Sequence, residues 1–187
     1  MLILNFEYTV AVMEKHGLKE FDLKIVNELH IFRAFIHEML RISCIVPIGL
    51  PHYTTEDATI EVEGKKMVVP KWTVIHANTV YIQRWTDWND GYKPLKAANK
   101  EIHLEYWLDA ETGKFKMNDN LVAFGMGKRD CVGRSMAMKT LYAMFPLFLL
   151  HYKFVAPNND PDALEIKQRW ALVWEVERTG INVELRE

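Results

Sequence analysis

Cysteine is scarce in this chain: its 187 residues include two, Cys44 and Cys131. Two thiols cannot form the dense disulfide framework of a small secreted domain, and no set of cysteines and histidines has zinc-site spacing. We therefore expect an intracellular protein, cytoplasmic by default, for which peripheral membrane association stays open.

An excess of charge of one sign is also missing, since 23 Lys and Arg residues stand against 25 Asp and Glu residues, giving a net charge of −2. A nearly neutral chain has no general attraction to nucleic acid, so we expect no nucleic-acid partner. The hydrophobic fraction of 49% and the charged fraction of 26% are those of a globular domain with a core.

The chain lacks a long uninterrupted apolar run. Its longest apolar tract, Met136–Leu150, has about fifteen residues and contains Lys139 and Pro146. A membrane span needs about twenty apolar residues. The tract therefore predicts a buried helix, and no membrane span.

The pattern of apolar residues predicts a single domain, 1–187, that mixes a few helices with small strands. Apolar side chains recur every three or four positions between Leu23 and Ile42, which is typical of a helix. The predicted elements are a helix at about 23–42, a β-hairpin region at 59–82, an irregular meander at 84–120, a helix at about 132–150, and strands within 152–187 around a turn at 178–180. These parts do not obviously close an architecture, so we expect one side of something larger.

The segment HEMLR contains Glu38 and Arg41, which share one face of the first predicted helix. A zinc-protease helix needs a second histidine four residues after His37, and that position holds Arg41. The simplest interpretation is a surface ion pair, which contributes a few tenths of a kcal/mol.

The segment FGMGKRDCVG, residues 124–133, places Cys131 just before the helix at 132–150. The simplest interpretation of a lone cysteine is a small buried hydrophobic residue. The alternative is a thiolate, favoured by the start of a helix and by neighbouring Lys128, Arg129 and Arg134. Gly127 and Gly133 permit a tight turn close to a flat, bulky group, and Phe124 supplies an aromatic wall. Such a thiolate is a metal ligand or a nucleophile.

The spacing F-x-x-G-x-R-x-C-x-G, matched in full by this segment, resembles the haem-binding loop of the cytochrome P450 family. Upstream, the Glu38-x-x-Arg41 spacing is similar to the family's K helix, here at about 23–42, and the predicted helix after Cys131 corresponds to its L helix. The resemblance covers about residues 25–187. It implies an α+β, mainly α fold: the C-terminal, haem-ligand-bearing part of the cytochrome P450 fold, with small β-sheets.

The resemblance also implies site residues. Cys131 corresponds to the axial thiolate ligand of the haem iron, which favours O–O cleavage. Arg129 and His52 match positions that pair with haem propionates; the alternatives are a solvated charge and a strand-end histidine. Phe124, Gly127 and Gly133 complete the cofactor-binding loop. Glu38 and Arg41 would be structural, locking the K helix to the segment that precedes the haem loop.

The chain departs from the family pattern in two respects. Tyr106 stands where the family has a third basic residue, so we expect its hydroxyl to accept a hydrogen bond from Arg41. The long distal helix with its acid–threonine pair has no counterpart in these residues, so the resemblance implies a truncated chain. An N-terminal half on another chain would complete it.

Three functions stay open. The first is a haem-thiolate monooxygenase, an oxidoreductase that takes electrons from a reductase or ferredoxin and acts on a small apolar substrate. The second is a non-catalytic or vestigial haem-binding module, motivated by the missing distal helix. The third is a structural or interaction protein with Cys131 in its core.

Overall fold

The computed structural model describes residues 2–88, 93–94, 101–155, 167–170, 174–178 and 181–186. The α-helices are α1 Leu2–Lys15, α2 His30–Ser43, α3 Thr79–Arg84 and α4 Arg134–His151. Short 3₁₀ helices span Leu23–Glu28, Leu104–Tyr106 and Gly127–Arg129. The strands are β1 His52–Tyr53, β2 Ala58–Val62, β3 Lys65–Val69, β4 Val74–Ile75, β5 Thr86–Asp87, β6 Lys93–Pro94, β7 Tyr152–Val155, β8 Lys167–Trp170, β9 Trp174–Arg178 and β10 Asn182–Leu185.

The core lies where α1, α2 and α4 meet the segment that leads to the cysteine loop. Helix α2 buries a wide apolar face that includes Phe32 and Leu40, as its periodicity predicts. The ring centroid of Phe32 lies 6.1 Å from that of Phe145 on α4, and Trp107 and Leu121 join the same cluster. The core therefore joins α2 and α4 to the segment that leads to the cysteine loop.

The predicted helix at 23–42 is wrong in its first turns. A separate 3₁₀ helix occupies Leu23–Glu28, and α2 begins at His30. The side chain of Asp22 accepts a hydrogen bond from the Lys24 amide at 2.8 Å and thereby caps the start of this 3₁₀ helix. Leu29, with ψ 63°, then interrupts the helical backbone. The apolar periodicity runs across this break because both helices bury residues in the same core.

The β-hairpin of the predicted strand region is formed by β2 and β3, with Ile60 opposite Met67. Its turn residues Glu63 and Gly64 both have positive φ, 51° and 75°, as a two-residue hairpin turn requires. The extension of strand structure to residue 82 is wrong, because α3 begins at Thr79. The Asn78 side chain accepts a hydrogen bond from the Tyr81 amide at 2.9 Å and thereby caps this helix.

The described sheets are two-stranded and antiparallel, pairing β1 with β4, β2 with β3, β5 with β6, β7 with β10 and β8 with β9. Between 101 and 120 the chain is irregular, with the short helix Leu104–Tyr106 and a bridge between Leu108 and Phe115. Of the predicted turn at 178–180, the structure describes Arg178, and the other two residues lie outside the described ranges. None of the helices within the described ranges is long and apolar enough to cross a membrane.

Candidate functional site

Cys131 is exposed and lies three residues before the first residue of α4, whereas Cys44 is buried. The interpretation of Cys131 as a buried core residue is therefore wrong for this structure. The Cys131 amide donates to the Phe124 carbonyl at 2.8 Å and to Oδ1 of Asp130 at 3.0 Å. These bonds close the loop on itself and hold the backbone of the thiol-bearing residue.

Two glycines give the loop its shape. Gly125 has φ 80° and Gly127 has φ 66°, values that favour glycine over other residues. A Cβ at Gly125 would lie 3.3 Å from the Arg129 carbonyl oxygen, so the loop is also tight at this position. The predicted role of Gly127 in a tight turn agrees with its backbone. Gly125 is a further residue that shapes the loop, and the spacing F-x-x-G-x-R-x-C-x-G does not indicate it, although it directly follows Phe124.

Gly133 has an ordinary helical backbone with φ −83° and ends the loop as the N-cap of α4. A Cβ built there would lie 3.7 Å from Sγ of Cys131, which is normal van der Waals contact. Glycine at this position therefore leaves the space beside the sulfur open. Met126 in the same loop and Val132, the next residue in the chain, are exposed apolar side chains.

The charges around the thiol partly balance one another. Nη1 of Arg134 lies 2.9 Å from Oδ2 of Asp130, and its guanidinium carbon lies 5.6 Å from the centre of the Phe124 ring. Lys128 and Arg129 are exposed on the short helix Gly127–Arg129. Asp130, which the spacing of the loop does not indicate either, accepts a hydrogen bond from the Cys131 amide and opposes part of this positive charge.

Within the described residues, His52 forms no hydrogen bond or ion pair with the cysteine loop, residues 124–133. His52 lies in β1, where it pairs with Ile75 of β4, and its side chain is exposed. Apolar side chains near it in the chain, Leu50 and Tyr53, are exposed as well. His52 therefore stands on a surface with apolar character in a separate two-stranded ladder.

Glu38 and Arg41 form a buried pair, so the surface ion pair is wrong. Their side chains are 0% and 1% exposed, and Nη2 of Arg41 lies 2.7 Å from Oε1 of Glu38. Nε of Arg41 donates to Oε2 of Glu38 at 2.9 Å. A buried ion pair persists only when its remaining hydrogen-bonding groups are also satisfied.

Two further N–H groups of Arg41 reach other segments of the chain. Nη1 donates to the Gln83 carbonyl at 2.7 Å, and Nη2 donates to the Glu101 carbonyl at 2.9 Å. The guanidinium therefore connects α2 to α3 and to Glu101, shortly before the short helix Leu104–Tyr106.

The carboxylate of Glu38 accepts two further hydrogen bonds that the sequence did not indicate. The His103 amide donates to Oε1 at 2.8 Å, and Nε1 of Trp107 donates to Oε2 at 2.9 Å. Trp107 is 0% exposed. Its position next to Tyr106 was visible in the sequence, but its bond to a residue 69 positions away was not.

Tyr106 contributes an aromatic face to this network. Its ring centre lies 5.6 Å from the guanidinium carbon of Arg41 and 5.7 Å from the ring of Trp88, with which it stacks. The ring of His103 also stacks with the Tyr106 ring, and their centres lie 5.0 Å apart. The aromatic face stabilises the Arg41 cation without adding charge.

Burial also affects a histidine beside the pair. Desolvation lowers the pKa of His37, and the charges of Arg33 and Arg134 lower it further, against a hydrogen bond to the Arg33 carbonyl that raises it. The ring lies 4.8 Å from Phe115 and 5.3 Å from Trp107. His37 is therefore a neutral member of the aromatic core beneath the Glu38–Arg41 pair.

Comparison with known proteins gives a single family. The family model described as Cytochrome P450 matches residues 7–183. Cytochrome P450 2L1 of Panulirus argus is 35% identical over 139 residues, which cover 74% of this chain and 26% of that protein. Cytochrome P450 2D14 of Bos taurus is 35% identical over 129 residues, 68% of this chain and 23% of its own length. Cytochrome P450 2D3 of Rattus norvegicus has the same identity and the same coverage.

The matched region thus spans about a quarter of the length of these relatives. The family match extends from α1 to β10 and includes both the buried Glu38–Arg41 pair and the Cys131 loop. The α+β, mainly α fold that the sequence predicts agrees with this match. The chain belongs to the cytochrome P450 family.

Proposed function

We propose that this chain supplies the haem-ligand side of a haem-thiolate monooxygenase, with Cys131 as the axial ligand. The observation that carries the proposal is the exposed thiol of Cys131 in a loop turned by Gly125 and Gly127, directly before α4. An exposed soft sulfur ligand, in a loop that also carries the exposed apolar side chains of Met126 and Val132, suits a flat, largely apolar iron cofactor. The residues present therefore fit haem.

The residues that would hold the group are those of the loop and one strand. Cys131 would ligate the iron, and Phe124, Gly127 and Gly133 would shape the surface beneath the ring. Arg129 and His52, both exposed, would neutralise the propionates. A haem with a thiolate ligand supplies the activation of dioxygen for insertion of an oxygen atom into a substrate.

The chain's own contribution is to hold the sulfur in place. The Cys131 amide is already engaged by Phe124 and Asp130, so the backbone does not need to reorganise when a ligand binds. The Asp130–Arg134 ion pair fixes the start of α4 against the loop.

The exposed apolar side of α4 supports a proposal about partners. Met144, Leu147 and Phe148 are 46%, 36% and 43% exposed, although the opposite side of the helix packs in the core. A helix that is apolar all round is normally covered on both sides. We expect the remainder of the family's fold, on the same or another polypeptide, to cover this side of α4. We also expect a small apolar substrate and an electron donor, such as a reductase or ferredoxin, as partners.

A non-catalytic haem-binding module is the second candidate. The observation that favours it is the exposure beside the thiol, where Val132 is 103% and Met136 is 77% exposed. A haem seated on so open a surface admits water, which impairs oxidation chemistry. Substrate-dependent oxidation by the chain with an electron donor would exclude this candidate.

The test of thiolate ligation uses the full chain, reconstituted with haem, reduced and exposed to carbon monoxide. The proposal predicts a strongly red-shifted Soret band, retained in Cys44→Ala and absent in Cys131→Ala. Cys44 is the matched control because it is the other cysteine and is buried. A chain that takes up no haem, or a red-shifted band that persists without Cys131, would overturn the proposal.

A further inference from the structure

The buried carboxylate of Glu38 has a neutral indole donor where the family resemblance leads one to expect a second cation. We propose that Trp107 is a positioning residue that couples α2 to the Cys131 loop through this hydrogen bond. Its effect on the haem ligand rests on the proposed function, whereas its effect on the loop does not. Residue 106, a tyrosine here, lies beside the donor that reaches the carboxylate.

Burial makes this hydrogen bond strongly discriminating. Glu38 and Trp107 are each 0% exposed, and Nε1 lies 2.9 Å from Oε2. The carboxylate accepts from four donors: two N–H groups of Arg41, the His103 amide and the indole. A carboxylate has about four lone-pair sites, so removal of one donor leaves a buried charged oxygen under-bonded.

The backbone around Trp107 holds the following segment in place. The Lys116 amide donates to the Trp107 carbonyl at 2.9 Å, and Nδ2 of Asn118 donates to the Tyr106 carbonyl at 3.3 Å. The bridge between Leu108 and Phe115 lies inside this turn. Fixing the indole on Glu38 therefore fixes residues 115–118 as well.

A continuous series of contacts leads from this segment to the cysteine. The Leu121 amide donates to the Asn118 carbonyl at 3.3 Å, and Leu121 packs in the same core cluster as Trp107. Phe124 packs against that cluster, and its carbonyl accepts the Cys131 amide at 2.8 Å. The indole is thus joined to the thiol-bearing loop by packed side chains and backbone hydrogen bonds.

The decisive variant replaces Trp107 with β-(3-benzothienyl)alanine, which keeps the ring size and substitutes sulfur for the N–H group. Trp107→Phe is the second variant, expressed in the ordinary way. The matched control makes the benzothienyl change at Trp88, which keeps the ring contacts of Trp88 with Tyr106 and Trp107 and removes an Nε1 donor that reaches the Ile82 carbonyl at 3.1 Å instead of Glu38. Amide hydrogen exchange of the chain without haem is measured in residues 101–118, in residues 124–131 and in the β2–β3 hairpin.

The proposal predicts that amide exchange becomes at least about fivefold faster in both 101–118 and 124–131 in the Trp107 variants. Exchange in the β2–β3 hairpin of these variants should be unchanged. In the Trp88 control, residues 124–131 should stay protected. Faster exchange in 101–118 with an unchanged cysteine loop would overturn the coupling, as would no change in either segment. If the Trp107 variants are unfolded, the loss of protection in the hairpin identifies a general packing role and also overturns the proposal.

A second readout separates this inference from the proposed function. In the haem-loaded chain, the fraction of haem in the thiolate-ligated spectral form should be at least about twofold lower in the Trp107 variants than in the Trp88 control. An equal fraction in both would contradict the positioning role. If the unmodified chain shows no thiolate form, the proposed function fails, while hydrogen exchange still decides whether Trp107 orders the loop.

Discussion

The guanidinium carbon of Arg186 lies 3.8 Å from the centre of the Phe6 ring, so the last described residue contacts the first helix. Nε of Arg186 also donates to the carbonyl groups of Leu149 and Tyr152 at 2.8 and 3.1 Å. Leu149 lies in the last turn of α4 and Tyr152 is the C-cap residue, where backbone acceptors lack helical partners. A single side chain therefore caps α4 and attaches it to α1.

The first prediction is that Arg186→Ala lowers the free energy of unfolding by about 1–3 kcal/mol, through loss of the charged hydrogen bonds and the ring contact. Urea unfolding followed by circular dichroism measures this change. Lys153→Ala is the control, because Lys153 is exposed on the neighbouring strand β7 and should change stability by less than about 0.5 kcal/mol. Equal effects of the two substitutions would show that Arg186 does not cap the helix.

The second prediction concerns two glycines with nearly the same backbone but different surroundings. Gly49 has φ 66°, and a Cβ there would lie 2.6 Å from the Ala77 carbonyl oxygen; Gly17 has φ 63° and open space around it. Gly17→Ala should cost about 1 kcal/mol, from backbone strain alone. Gly49→Ala should cost at least about 1–2 kcal/mol more, because backbone atoms must move. Thermal or urea unfolding of both variants measures the difference, and equal costs would contradict the close approach.

The third prediction is a pH dependence of stability caused by His37. Desolvation lowers the pKa of this histidine in the folded chain, so the unfolded chain binds the proton more readily. The contribution of His37 is fully present above about pH 6.5, its unfolded pKa, and is lost as the pH falls through that value toward the lower folded pKa. Urea unfolding between about pH 7.5 and 5.5 should therefore show decreasing stability.

His37→Phe is the matched variant for this prediction, since the aromatic neighbours Phe115 and Trp107 accommodate a ring. It should reduce the slope of the stability profile over this pH range while retaining the fold; His30, whose pKa is also lowered by burial, contributes a slope of the same sign that remains. His16→Phe is the control, because His16 pairs with Glu28 at the surface and the slope caused by His37 should persist. A slope as steep in His37→Phe as in the unmodified chain would assign the pH dependence to other groups.

Short-range spacing was readable from the sequence, and long-range contacts were not. The cysteine loop and the Glu38–Arg41 pair each lie within ten residues, so their spacing alone indicated them. The interruption at Leu29 was hidden because the apolar periodicity continues across it. The indole donor of Trp107 was hidden because it depends on a contact with Glu38 that only the folded chain creates.

The same reasoning explains the error over residues 79–82. Their β-branched and aromatic side chains, in the sequence Thr-Val-Tyr-Ile, favour a strand, but the side chain of Asn78 caps a helix there. The hydroxyl of Thr79 also donates to the Pro47 carbonyl at 2.9 Å and ties the start of α3 to the segment after α2. A local cap and a tertiary contact therefore outweigh the preference of the sequence pattern for a strand.

Iron-edge X-ray absorption of the haem-loaded chain tests the central claim most directly, because it identifies the atoms bonded to the metal. The account predicts one sulfur scatterer at bonding distance in the unmodified chain and in Cys44→Ala, and its absence in Cys131→Ala. An unmodified chain whose iron is bonded to nitrogen and oxygen alone, or a sulfur scatterer that survives in Cys131→Ala, would contradict it.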